Sequence, residues 1–371
     1  MKLTKSLFLA FAGLGLFACS NEDVATENGG VINGPANVEV KVKLPVLASR
    51  TVNDRTFDRD VEIESMKITL TCEDGSTQEA TYEDFLEEEV NGEGSVVFEG
   101  VQAPKSITVS VNGYEKGTEL TLSNTNTTWA GVKAPMYGET SSIQAIPSEN
   151  VYKATVDVEH QQARMEFLDI FHQDALTEDG GVCRFKSLNI VGAFLNDWDN
   201  KNTYNSWAEI PWDNNIWDVI GTPEEKVNFL LIDNNNALPG KNQCYAYNVK
   251  PGSIPTFTLA FDDVEYTDEY QSAHGNIAFV GDHGYAVVSK YKVIVDNTII
   301  ENYSEFGLSA EPILGQEVEI TKLPAGYIYQ VQHLAVPDSA IKGDIRGEGV
   351  NLIATINVEK WNIVIGHAEW K

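Results

Sequence analysis

From Val38 to Leu44 every second residue is apolar: Val38, Val40, Val42 and Leu44 alternate with Glu39, Lys41 and Lys43. A period of two puts the aliphatic side chains on one side of an extended chain and the charges on the other, which predicts a half-buried strand. Shorter alternations recur at Glu62 to Leu70, Ser95 to Phe98, Ser106 to Val111, Ala154 to Val158, Thr256 to Phe261, Tyr285 to Val295 and Glu317 to Ile320. Turn formers separate them, among them Asp74-Gly75, Asn91-Gly92, Asn112-Gly113, Asp179-Gly180-Gly181 and Pro251-Gly252. Thr, Val and Ile are plentiful within the runs, as pleated surfaces favour. Helical patterning is confined to Tyr82 to Glu89 and Thr222 to Phe229. The second has Thr222 as a cap, Pro223 at the first helical position and Glu225 in the capping-box place. This spacing of strands and turns predicts an all-β chain built of sandwiches rather than a parallel sheet. No short-period repeat marks a solenoid or propeller. Val132 to Asn150 carries Pro135, Gly138 and Pro147 with little pattern, and a new strand follows from Tyr152 to Val158. A boundary near residue 155 follows, and two tandem β-sandwich domains suit the length of 371 residues.

The two ends depart from this pattern. Lys2 and Lys5 precede an apolar run, Leu7 to Phe17, too short to span as a stable membrane helix. Leu16-Phe17-Ala18-Cys19 then looks like a lipobox, in which Cys19 takes a diacylglycerol and becomes the mature N-terminus; the alternative is an ordinary cleaved signal peptide. Ser20-Asn21-Glu22-Asp23 places acidic residues directly after that cysteine, and residues 20–36 read as a polar tether. Beyond the first strand comes Pro45-Val46-Leu47-Ala48-Ser49-Arg50, and from Thr51 the chain is polar again. An arginine at such a junction is open to a trypsin-like protease, the plain alternative being a first strand followed by a surface arginine. Arg55 and Arg59 follow closely, and Arg50 fits best because it ends the strand. At the other end Leu352, Ala354, Ile356 and Val358 alternate on one face, Trp361, Ile363 and Ile365 continue in the opposite phase, and Trp370 is penultimate. So apolar a terminal strand needs a partner sheet, in its own domain or in another molecule.

Composition removes several classes of function. Hydrophobic content of 42% suits real cores, and a net charge of −29 argues against nucleic acid, which would repel the chain. If Cys19 is acylated, Cys72, Cys183 and Cys244 remain, with no metal spacing, and read as buried thiols with at most one disulfide. His160, His172, His274, His283, His333 and His367 form no HExxH, and no GxSxG, P-loop or GxGxxG after a strand occurs. Nothing selects one pair among the 55 carboxylates for glycoside hydrolysis. The chain thus reads as no enzyme, with no cofactor and no metal; Asp197-Trp198-Asp199-Asn200 lacks the glycine and distal glutamate of a calcium loop. Trp198, Trp207, Trp212 and Trp217 lie among Asn and Asp, either as a sugar-binding surface or as core-facing residues of a long loop.

Taken together, the Cys19 signal, the early strand ending in Ser49-Arg50, Ala163-Arg164-Met165-Glu166-Phe167, Leu323-Pro324-Ala325-Gly326-Tyr327-Ile328-Tyr329, and the tail Val358-Glu359-Lys360-Trp361 through Ala368-Glu369-Trp370 resemble the fimbrillins, the type V pilins of Bacteroidota. The resemblance spans the chain in organisation, while its specific motifs cover the ends and the start of the second domain. It implies two tandem transthyretin-like Greek-key sandwiches: residues 1–19 the lipoprotein signal, 20–50 the tether and propeptide strand, 51–154 the first domain, and 155–371 the second with a donor tail 351–371. It implies an outer-membrane lipoprotein precursor, acylated at Cys19. An arginine-specific surface protease cuts it between Arg50 and Thr51. The propeptide strand of Val38, Val40, Val42 and Leu44 then leaves. The tail of another copy or related subunit, carrying Ile356, Val358, Trp361, Ile363, Ile365 and Trp370, takes its place and builds an extracellular fimbrium that supports adhesion. The alternatives are a surface glycan-binding lipoprotein, or an anchor or tip subunit that keeps its lipid. Asp338-Ser339-Ala340 resembles an O-glycosylation motif of Bacteroidota, with an exposed turn as its plain reading.

Overall fold

The structure, a computed structural model, describes residues 32–45, 63–86, 89, 92–118, 120, 134–167, 170–173, 184–196, 232–233, 245–252, 254–274, 283–296, 302–308, 312–343 and 351–360. The chain is all-β. The buried apolar residues form two clusters, one drawn mainly from residues 38–158 and the other mainly from 163–358.

Two sheets enclose the first cluster. One has four strands in the order β4-β1-β8-β7, namely Glu93–Val101, Ala36–Lys43, Val151–Asp157 and Gln144–Ile146. The other has five in the order β3-β2-β5-β6-β9, namely Thr77–Thr81, Met66–Cys72, Pro104–Val111, Met136–Thr140 and Glu159–His160. Their inner faces alternate as the sequence pattern requires. Val38, Val40, Val42, Val96, Phe98, Ala154 and Val156 come from one sheet, and Ile68, Leu70, Ile107, Val109 and Met136 from the other. The chain changes sheet between β8 and β9, at Val158. There the backbone of Gly138 in β6 lies so close to Asp157 that a Cβ would sit 2.4 Å from its carbonyl oxygen, so no larger residue fits.

The second cluster is built on a nine-stranded sheet. Its path is β13-β12-β15-β16-β20-β18-β10-β14, with β17 also paired to β16. These strands are Ile232–Asp233, Phe185–Asn196, Thr256–Tyr266, Gly284–Ile294, Leu352–Lys360, Tyr327–Val331, Ala163–Phe167 and Tyr245–Val249, with β17 at Glu317–Ile320. A separate pair joins β11 (Ile170–Gln173) to β19 (Leu334–Pro337) in parallel. Among the described residues, Ile328 of β18 packs in the first cluster, while Leu120 packs in the second and Tyr114 against it. The clusters part between Val158 and Ala163.

Most sequence-predicted strands appear within a few residues of their expected bounds. Of the strand expected from Glu62 to Leu70, the structure describes Met66–Cys72 as strand, paired with β5 from Val111 onward; Glu62 lies outside the described residues. Of the two expected helices, α1 forms at Tyr82–Leu86, while Thr222 to Phe229 lies outside the described residues. A second helix, α2 at Asp268–His274, was not expected.

His160 of β9 is buried, and burial pushes its imidazole down to about 3. A histidine whose folded-state pKa is lowered opposes folding only where the unfolded chain takes up a proton that the folded chain refuses. With an unfolded value of about 6.5, stability is intact above that pH and falls as pH drops toward 3. At pH 4.5 the expected loss from this residue is about 2–3 kcal/mol. Urea midpoints at pH 7.5 and 4.5 should therefore differ less for His160→Gln than for the parent chain.

Candidate functional site: two central strands at the ends of the chain

Strand β1 lies inside its sheet, not at its edge. It pairs antiparallel with β4, matching Val38 to Phe98, Val40 to Val96 and Val42 to Gly94, and parallel with β8, matching Val38 to Tyr152, Val40 to Ala154 and Val42 to Val156. The ladder continues past the strand, where the Leu44 amide donates to Gly92 O at 2.9 Å and the Val158 amide donates to Lys43 O at 2.8 Å. Val38, Val40 and Val42 are fully buried and Leu44 nearly so. Four such side chains at ~1.5–3 kcal/mol each contribute on the order of 10 kcal/mol. Phe85 of α1 closes the far end of this core. Its ring lies over Gly94, where a Cβ would meet Phe85 Cε2 at 2.6 Å, so glycine is required beside Val42.

The outward face of β1 is ionic. Lys41 pairs with Glu93, Lys43 Nζ lies 3.8 Å from Asp157 Oδ1, and Lys153 Nζ lies 3.5 Å from Glu39 Oε2 and 3.3 Å from Glu149 Oε2. Hydrogen bonding to Glu149, joined by the field of Glu39, raises the Lys153 ammonium above its ordinary value. The sequence pattern placed Glu39, Lys41 and Lys43 outward. Their partners on β4 and β8 carried no signal of their own, because they lie 50 to 120 residues away.

Strand β20 repeats the arrangement at the other end of the chain. It runs parallel to β16, matching Tyr291 to Ala354 and Val293 to Ile356, and antiparallel to β18, matching Tyr329 to Val358 and Tyr327 to Lys360. Ala354, Ile356 and Val358 point into the second cluster. On the outer face Thr355 Oγ1 donates to Glu317 Oε1 at 2.8 Å, and Lys292 Nζ reaches Glu317 Oε2 at 3.2 Å. Each end of the chain thus supplies a strand with one parallel and one antiparallel neighbour.

Of the residues singled out from sequence, Val38, Val40, Val42 and Leu44 come together in the first core, and Ile356 and Val358 in the second. The two sets are not brought together within one chain. Cys19, Arg50, Thr51, Trp361, Ile363, Ile365 and Trp370 lie outside the described residues, as do Trp198, Trp207, Trp212 and Trp217 and the segment Asp197 to Asn200. Among the described residues no cluster of His, Cys, Asp and Glu could hold a metal ion. Among them, too, no helix is long and apolar enough to cross a membrane. Cys72 is a buried free thiol. Asp338 heads a short 3-10 turn, Asp338–Ala340, in which both end residues are buried; its Oδ2 accepts from the Arg184 amide at 2.9 Å.

No family model matches the chain, and no curated protein does. Among solved structures it is similar to a fimbrilin, FimA, from Porphyromonas gingivalis W83, at 15% identity over 91% of this chain and 100% of that one, with a TM-score of 0.47. It is similar to a "putative cell adhesion protein" from Parabacteroides distasonis, at 10% identity over 88% and 100% with a TM-score of 0.45. It is also similar to the tip fimbrial protein Mfa3 of Porphyromonas gingivalis, at 9% identity over 88% and 99% with a TM-score of 0.38.

Proposed function

We propose that this chain is a non-catalytic structural subunit of a cell-surface fimbria, made as an outer-membrane lipoprotein precursor and assembled by strand exchange. In this reading the signal ends at Cys19, which carries the lipid, and an arginine-specific surface protease cuts between Arg50 and Thr51. The released β1 leaves a slot in a first sandwich domain that begins at Thr51, and a second domain starts near residue 155. The tail 351–371 of another copy or related subunit fills the slot. Because each subunit donates one strand and accepts another through a different surface, the contacts need not close, and a filament results.

The observation that carries this reading is the place of β1: central in its sheet, and followed within seven residues of Lys43 by Arg50. A cut at Arg50 leaves no covalent link between β1 and the rest of the fold. Strand neighbours on both sides and on the order of 10 kcal/mol of apolar burial would still hold it. Exchange is therefore a displacement by an incoming strand, because an empty slot would expose the apolar core between two unpaired edges.

The test is the intact mass and N-terminal sequence of protein recovered from the cell surface. A form starting at Thr51 that runs as a ladder of oligomers when unheated is expected, and Arg50→Ala should leave folded monomer on the membrane with the ladder absent. A ladder undiminished in Arg50→Ala would sink the proposal. A mature form that keeps Cys19 and its lipid would instead make the chain an anchor subunit.

A further inference from the structure

Lysine is seldom buried in a folded chain unless it is paired. Among the described residues Lys342 is the one buried lysine, 7% exposed, and its Nζ lies 2.6 Å from Asn351 Oδ1. Both residues are pinned to β16. The Tyr285 amide donates to Lys342 O at 2.8 Å, and the Lys342 amide donates to Tyr285 O at 2.9 Å. Three residues further along β16, Val288 stands level with Leu352, the residue after Asn351. Strand β15 takes the other side of β16 here, where Ala260 faces Tyr285, so Lys342 and β20 follow one another along a single edge. The backbone therefore holds the two side chains together before any reaction, which lowers the entropy cost of joining them.

A lysine amine stripped of water is a nucleophile, and the carboxamide carbon of asparagine is an acyl centre. The turn that delivers Lys342 opens at Asp338, whose side chain is fully buried, and a carboxyl group in such a place can carry protons. We propose that Lys342 and Asn351 are joined by an isopeptide bond, with Asp338 as the proton carrier. Lys342 Nζ bonds to Asn351 Cγ and the Cγ–Nδ2 bond breaks. Nδ2 departs as ammonium, with the two protons that Nζ loses handed over by Asp338. An ammonium and a carboxamide thus become a secondary amide and an ammonium ion. Nothing is oxidised or reduced, and no further reactant is needed. The link bypasses residues 343–350 and fixes Asn351, the first residue of the proposed donor tail. It stands whether or not the chain assembles. Under the proposed function, pull on a donated tail would pass from Asn351 through Lys342 into β16.

The experiment is peptide mass mapping of the full chain, denatured and digested with trypsin. Cleavage after Lys342 should fail. Residues 323–346 and 347–360 should be recovered as one branched species, lighter by one ammonia than the two peptides together. Lys342→Arg and Asn351→Ala, each shown to be folded by circular dichroism, should give linear peptides only. Asp338→Asn should give far less of the branched species. Linear peptides alone from the parent chain would overturn the proposal and leave Lys342 and Asn351 joined by a hydrogen bond. Loss of ammonia confined to residues 347–360, a succinimide at Asn351, would overturn it as well. A branched yield undiminished in Asp338→Asn would overturn the part given to Asp338. None of these outcomes touches strand exchange, which stands or falls by the ladder of oligomers.

Discussion

A Val40→Asp chain is expected to lose its folded first half. Val40 is fully buried and sits midway along β1, level with Val96 on one side and Ala154 on the other. Its neighbours on the inward face are aliphatic, so a carboxylate there has nothing in that cluster to pair with and must lose its hydration or expel the strand. The expected cost is more than about 4 kcal/mol, a large part of the stability of a domain this size. Lys41→Asp, one residue on and facing outward, should cost less than about 1 kcal/mol. Far-ultraviolet circular dichroism with limited proteolysis would follow both variants. The comparison also bears on strand exchange. Protein cut after Arg50 no longer needs residue 40, so wild-type peptide 35–46 supplied during refolding of the cut Val40→Asp protein should restore a protease-resistant first half. If Val40→Asp folds as well as the parent chain, β1 is no core strand and the slot has no basis.

The contrast between these neighbours also shows what the sequence could and could not reveal. Alternation from Val38 to Leu44 is enough to predict a strand and its inward face, because the period of two is local. It is silent on which strands lie beside it. The parallel partner β8 begins more than a hundred residues later, and parallel pairing leaves no turn signature to read. The same holds for β20: its inward Ala354, Ile356 and Val358 were legible, but its place between β16 and β18 was not. Helix α2 was missed for a different reason. Its side chains are all at least partly exposed, so it carries no apolar stripe. Tyr270 instead stacks between Tyr266 and His274 at 5.1 and 4.1 Å, an i, i+4 aromatic run that a search for hydrophobic period passes over.

The segment Ala163 to Phe167 misleads most. Read with a period of two, Arg164 and Glu166 belong on a wet face opposite Ala163, Met165 and Phe167. The structure buries all five. Arg164 Nε donates to Glu166 Oε1 at 2.8 Å and its Nη1 donates to Asn248 Oδ1 at 3.4 Å, while Gln330 Nε2 donates to Glu166 Oε2 at 3.2 Å. The neighbour of Arg164 across the parallel ladder is Ile328, which packs in the first cluster. The polar face of β10 is on the side of the sheet where Ile328 reaches the first cluster, and the charged pair is held there by Asn248 and Gln330 of its own half.

Arg164→Ala is accordingly expected to destabilise the chain by about 3–5 kcal/mol, since it strands the Glu166 carboxylate where water does not reach. Glu166→Ala should cost a similar amount through the guanidinium. The double variant Arg164→Met, Glu166→Leu should recover most of the loss, because removing both charges also removes the need to desolvate them; Asn248 and Gln330 would keep a smaller deficit. Urea denaturation of the parent chain and the three variants measures each loss. An outcome in which each single variant costs less than about 1 kcal/mol would mean that this face is hydrated and the pair is not buried.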